Sequence, residues 1–312
     1  MRGIVTILWI ALAGCISCEY KPQAKGDGAT GETGYTVIVE EDYELYKPSR
    51  GAKAVLILFG GYPEVAADIK REFDILDIAE ENHIAVLLSN FNRKLWLESG
   101  EKDALATHVQ SVIEDHQLPK DRIFIGGFSS GGVVSLLLSN FIVGSELFSI
   151  DPKGVFIVDS PIDLAALYAS SEKNVERNFS ATAIQESTWL LEMLGDALGN
   201  PQDDMQNYEA HAVFTFRTGH TSNLQHLKNT DLRLYTEPDT LWWRENRGAD
   251  HQQMNAFYIE KLAKRLQTQG FQRVEYIPTK NKGYRANGDR HPHSWSIVDK
   301  KDLIHWILRH RL

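Results

Sequence analysis

The residues best placed to do chemistry lie in one short stretch, Asp121 to Gly132, which reads DRIFIGGFSSGG. Gly127, Phe128, Ser129, Ser130 and Gly131 fit the pattern GxSxG. In that pattern a serine occupies a strained turn, and its neighbours two places away are small enough to let a helix approach a strand. Ser129 is the expected nucleophile. Ser130 is out of frame, because centring the pattern on it puts Phe128 where the first glycine should be. The flanking residues supply the elements such a turn requires. Ile123, Phe124 and Ile125 form a β-branched and aromatic run before it, and Val133, Val134, Leu136, Leu137 and Leu138 form an apolar helical segment after it. The plainer reading is a glycine-rich turn that only packs a helix on a sheet.

The rest of the chain alternates strand and helix signals, which predicts a mostly parallel sheet covered on both faces. Tyr35 to Tyr46 reads as one or two antiparallel edge strands. Val55 to Phe59 is a continuous apolar run, expected of a strand buried on both faces, and ends at Gly60, Gly61, Tyr62, Pro63. Ile69, Phe73, Leu76 and Ala79 recur at helical spacing before a strand at Ile84 to Leu88. Leu105, Val109, Val112 and Ile113 mark the next helix, ended by Leu118 and Pro119. Strands follow at Val155 to Val158, Leu232 to Tyr235 and Val274 to Ile277, the last two separated by a helix through Phe257, Leu262 and Leu266. Leu303, Ile304, Ile307 and Leu308 close the chain as an amphipathic helix. Between Val158 and Leu232 lie roughly 70 residues, where a crossover helix and its loops take about 20 to 30. The excess, about 164–230, is expected to be an inserted lid or cap, with helix signals at Ala183 to Leu198.

At 312 residues, 43% hydrophobic and 24% charged, the chain can bury one large α/β core. The net charge of -9 argues against nucleic acid as a partner. No HExxH, Cys/His cluster, GxGxxG or Walker sequence occurs, so neither a metal nor a nucleotide cofactor is expected. The first residues read as an address. Met1 and Arg2 are a short positive region, Ile4 to Ala11 an apolar one too short for a bilayer span, and Leu12, Ala13, Gly14, Cys15 resemble the lipobox of bacterial lipoproteins. That resemblance implies a signal peptide over 1–14, lipid on Cys15, with Cys18 the weaker second choice, and a lipid-anchored, extracytoplasmic place in the cell envelope. Lys21 to Thr33 reads as part of a flexible tether over 15–34, and no cysteine follows Cys18, so the domain from 35 to 312 has no disulfide.

The order of elements, the elbow at Ser129, the glycine pair after an earlier strand and the late acidic and histidine residues together resemble the α/β-hydrolase fold over essentially all of Tyr35 to Leu312. The resemblance implies a triad in chain order Ser, Asp or Glu, His, with an oxyanion hole built from two loops. The acid is expected after the strand Leu232 to Tyr235. There Thr236 stands where family members often have glycine and Asp239 where they have the catalytic aspartate. Glu237 is the main alternative, Asp159 a lesser one, and each could equally be a turn or helix cap. The base is expected at His293, in the run Arg290, His291, Pro292, His293, Ser294, Trp295, in preference to His291. One oxyanion donor is expected at the Ser130 N–H and the other at Gly61 or Tyr62. Phe59 replaces the histidine that often precedes this glycine pair.

The implied activity is a serine hydrolase that cleaves a small or polymer-linked carboxylic ester through an acyl-enzyme. A serine peptidase of the same fold and an inactive binding protein that keeps the fold are the alternatives. Trp242 and Trp243 could wall the pocket or simply pack, and the run Lys280 to Arg285 could meet an anionic group or be a solvated loop.

Overall fold

The computed structural model describes residues 34–91 and 94–309. The expected signal peptide, the lipidation at Cys15 or Cys18 and the tether up to Thr33 lie outside the described residues. Eight strands form one sheet: β1 (Tyr35–Val39), β2 (Tyr43–Pro48), β3 (Ala54–Phe59), β4 (Ile84–Ser89), β5 (Ile123–Phe128), β6 (Pro152–Val158), β7 (Asp231–Thr236) and β8 (Val274–Pro278). Their order is β1-β2-β4-β3-β5-β6-β7-β8. The β1–β2 and β2–β4 pairs are antiparallel and every other pair is parallel.

The apolar runs become central strands because both their faces are covered. Val55, Ile57 and Phe59 of β3 enter one core, while Ala54, Leu56 and Leu58 enter the other. Parallel neighbours require crossovers, and the helices supplying them cover the two faces. On the first face lie α3 (Ser99–Asp115), α4 (Ser130–Val143) and α9 (Asn255–Thr268). The second face carries α1 (Ala66–Phe73), α2 (Leu76–Glu81) and α10 (Lys300–Arg309). The single helix suggested by Ile69, Phe73, Leu76 and Ala79 is two, because Asp74 takes a left-handed conformation (φ 48°) and returns its N–H to Lys70, which ends α1.

The long interval before β7 folds as α5 (Leu164–Arg177), α6 (Ala181–Leu198), α7 (Met205–His211) and a 3-10 turn at Ser222–Asn229. Leu190, Leu194 and Leu198 of α6 are buried in the first core, so this excursion is packed on the domain. After β7 comes α8 (Thr240–Arg247). Arg233 of β7, 3% exposed, pairs with Asp302 of α10 at 2.7 Å and Glu275 of β8 at 3.0 Å, and its guanidinium lies 5.1 Å over Trp306. A buried guanidinium needs such partners. The result is that α10 and the loop before it are tied to the sheet.

Candidate active site

Ser129 stands between β5 and α4 with φ 52° and ψ −125°. A non-glycine residue held at positive φ costs on the order of 1–3 kcal/mol and persists only where surrounding contacts impose it. Those contacts are its N–H to Val158 O at 2.9 Å and its carbonyl, which accepts the Gly132 N–H at 3.1 Å. The two glycines of the motif are there for space. A Cβ on Gly127 would sit 2.2 Å from the Gly131 backbone, and one on Gly131 would sit 2.2 Å from Phe59 O. Gly131→Ala is therefore expected to destabilise the fold by about 3 kcal/mol or more, read as a lower urea midpoint.

His293 lies in the loop before α10, its ring centroid 4.5 Å from that of Phe128, the residue before the nucleophile candidate. Its Nδ1 is 2.7 Å from Asp159 Oδ2. The carboxylate facing the histidine is thus Asp159, at the end of β6, and the expected pairing with Asp239 is not the one observed. Asp239 caps α8, accepting the Trp242 N–H at 3.0 Å, and bonds Arg290 at 2.7 Å. Glu237 is also occupied: it pairs with Arg290 and accepts the N–H groups of Lys282 at 2.9 Å and Gly283 at 2.8 Å. The two carboxylates after β7 are drawn to Arg290, which leaves Asp159, after β6, to meet His293.

Asp159 is built to hold this position. It is 3% exposed, adopts φ 46°, and its Oδ1 accepts the Thr236 hydroxyl at 2.6 Å. Its N–H donates to Tyr235 O at 2.9 Å, and its carbonyl accepts the Asn255 side chain at 2.8 Å. Thr236, which stands at the expected glycine position, is the donor that orients it. The sequence signal for Asp159 was an aspartate directly after a buried strand, whereas the loop after β7 was favoured by the family resemblance.

The loop after β3 closes over the elbow. A Cβ on Gly61 would stand 2.8 Å from Ser129 Cβ, so this loop touches the nucleophile candidate. The two expected donors differ in direction. Gly61 N–H donates to Glu64 Oε2 at 3.0 Å, and Tyr62 N–H donates to Ser130 Oγ at 2.9 Å. Ser130 opens α4, so its own N–H belongs to the first turn, where no intrahelical acceptor exists and the helix dipole is positive. Tyr62 and Ser130 therefore converge at the start of α4, while Gly61 faces away towards Glu64.

Aromatic groups wall the site. His291 packs on Trp242 at 4.7 Å and Trp243 at 6.1 Å between ring centroids, and its own centroid is 6.2 Å from that of His293. Burial pushes its pKa down to about 3, with the charges of His293, Arg285 and Arg247 adding to the effect. His291 is consequently neutral at neutral pH. The exposed ring of Tyr62 stacks on Trp189 of α6 at 5.1 Å and 16°. Beside them opens a cleft of about 1320 Å³ lined by Pro63, Val65, Asn90, Phe91 and Leu105, with Glu40 and Asp42 at its edge. Lys280 to Arg285 surrounds Glu237 and reaches back over Phe128, where the Arg285 guanidinium lies 5.9 Å from the ring. Among the described residues no group of three or more His, Cys, Asp or Glu is placed to hold a metal ion, and no helix is long and apolar enough to cross a membrane.

No protein-family model matches the sequence, and no curated protein matches it. Solved structures do match in shape. A carboxyl esterase from the mycorrhizal fungus Tuber melanosporum aligns with TM-score 0.53 and 16% identity over 90% of this chain and 87% of its own. An esterase/lipase from an uncultured bacterium aligns with TM-score 0.53 and 12% identity over 90% and 87%. A Pyrococcus furiosus esterase aligns with TM-score 0.51 and 13% identity over 92% and 96%. At such identities the likeness is one of architecture, and with the strand order and crossovers described above it establishes that this chain has the α/β-hydrolase fold.

Proposed function

We propose that the protein is a serine hydrolase that cleaves carboxylic esters through an acyl-enzyme. The observation that carries this reading is His293 held through Nδ1 by buried Asp159, its ring 4.5 Å from that of Phe128, the residue before a serine kept at positive φ between two glycines that admit no side chain. In this mechanism His293 takes the proton of the Ser129 hydroxyl through Nε2 as Oγ adds to the ester carbonyl. Asp159 fixes the tautomer with the proton on Nδ1 and stabilises the imidazolium. The carbonyl oxygen, now negative, is met by the Ser130 N–H and by the Tyr62 N–H, which exchanges its bond to Ser130 Oγ for one to the oxyanion. Collapse breaks the bond to the leaving oxygen, which takes the proton from His293. Water then enters, gives its proton to the same histidine and attacks the acyl carbon, releasing the acid and restoring Ser129.

Esters are favoured over amides because an alkoxide leaves with less protonation than an amine. The cleft beside Tyr62 and Trp189 would take the part of the substrate distant from the scissile bond. The lipobox-like Leu12 to Cys15 adds to the proposal a lipid-anchored location outside the bacterial cytoplasm. The test uses the domain from residue 34 onwards with a fluorophosphonate probe, a short aryl ester and a peptide anilide. Labelling that mass spectrometry maps to Ser129, with the ester turned over faster than the anilide, is the expected result. Faster anilide cleavage would make it a peptidase of the same fold, and a folded, unlabelled, inactive domain would make it a binding protein.

A further inference from the structure

The carboxylate of Glu64 joins the two loops that carry the proposed chemistry. Its Oε2 accepts the Gly61 N–H at 3.0 Å and the Trp295 indole N–H at 3.1 Å. Gly61 belongs to the loop after β3, and Trp295 follows His293 by two residues, so a single oxygen of Glu64 ties that loop to a residue 231 positions beyond Glu64 in sequence. The bridge is held firmly at both ends. Glu64 N–H donates to Gly61 O at 2.5 Å, closing a tight turn, and a Cβ on Gly60 would strike the Glu64 side chain at 2.8 Å. Trp295, 1% exposed, stacks on Phe73 at 4.5 Å and lies 5.6 Å from Phe128, whose ring also meets His293.

The two loop amides are held differently. The Gly61 N–H is aimed at Glu64, whereas the next amide, that of Tyr62, donates to the hydroxyl of Ser130, the residue after Ser129. Burial raises the pKa of the Glu64 carboxyl, opposed by its bonds to Trp295 and Gly61 and by the charges of Arg285 and His293. A carboxylate kept dry this close to the site carries a desolvation cost that a surface turn would avoid.

We propose that Glu64 is a positioning residue: through Oε2 it fixes the amide that faces the oxyanion and the loop that presents His293. The proposal rests on the serine-hydrolase reading above. Glu64 touches no reacting atom in it. The plainer alternative is that the side chain merely caps its own turn, which would cost stability without altering the chemical step.

The experiment compares wild type, Glu64→Ala, Glu64→Gln and Trp295→Phe. It measures kcat and KM for the aryl ester, and the indole N–H proton resonance of Trp295, identified by its loss in Trp295→Phe. Misplaced catalytic groups cost about 10²-fold in rate. Glu64→Ala is expected to lower kcat by about 30- to 100-fold with KM within about threefold, and to shift the indole resonance. Glu64→Gln keeps an acceptor oxygen of the same shape and is expected to restore kcat to within about threefold of wild type. Should Glu64→Ala fail to fold, Trp295→Phe removes only the indole donor while retaining an aromatic ring, and a several-fold loss of kcat is expected from it.

Unchanged kcat in a folded Glu64→Ala, or a Glu64→Gln as impaired as Glu64→Ala, would overturn the proposal. An unmoved indole resonance in Glu64→Ala would overturn it as well. If wild type turns over no ester, the hydrolase reading fails, and the resonance still decides separately whether Glu64 holds Trp295.

Discussion

Ser129→Ala is expected to lower ester turnover by about 10⁶-fold, to the level set by binding and oxyanion contacts alone. Thermal stability should hardly change, because the hydroxyl is replaced by hydrogen while the backbone stays at φ 52°. His293→Ala is expected to fall by a similar factor, and the double variant to be no slower than either single one, since nucleophile and base act as one unit. Adding the losses in free energy would be the result contrary to this mechanism. Ser130→Ala is the contrast. It removes the acceptor of the Tyr62 N–H but keeps both backbone donors, so fluorophosphonate labelling at Ser129 should persist.

The second large effect separates the two candidate acids. Asp159→Asn preserves shape but replaces a charged acceptor with a group that can present N–H to His293 Nδ1. A neutral partner no longer fixes the tautomer with Nε2 free to take the Ser129 proton, and kcat is expected to fall about 10⁴-fold. The Thr236 hydroxyl, 2.6 Å from Oδ1, favours the carboxamide orientation that turns its NH₂ to the histidine. Asp239→Asn should leave kcat within about threefold, because asparagine is as good a helix cap and the Arg290 guanidinium keeps Glu237 as a partner. A reversal of these two results, measured as kcat on the same ester, would return the acid's role to the loop after β7.

The contrast between Ser129 and Asp159 shows what a sequence can reveal. The elbow was legible because its requirements are local: small residues two places either side of the serine, a buried strand before it and an apolar helix after it. Which carboxylate meets His293 depends on long-range partners, since Arg290 engages Asp239 and Glu237, and residue types near β6 and β7 do not encode those pairings. Thr236 made the same point in reverse, since a residue read as a departure from a glycine pattern supplies the hydroxyl that orients Asp159. The loop after β3 was legible as one that comes close to Ser129, but nothing in its residue types showed that the side chain of Glu64, three residues on, takes the Gly61 amide. The alternating apolar runs gave β3 to β7 their places correctly. The break at Asp74 escaped because a non-glycine left-handed cap leaves the hydrophobic spacing intact.

The stacked rings of Tyr62 and Trp189 join α6 to the loop whose amide faces Ser130. Two equilibria meet at that pair: the seating of α6 and the aim of one N–H bond. Free-energy coupling between linked equilibria is reciprocal. Under the proposed mechanism, a molecule that enters the neighbouring cleft and prises Trp189 from Tyr62 would change the cost of stabilising a negative oxygen, and a bound oxyanion mimic would in turn change that molecule's affinity by the same factor.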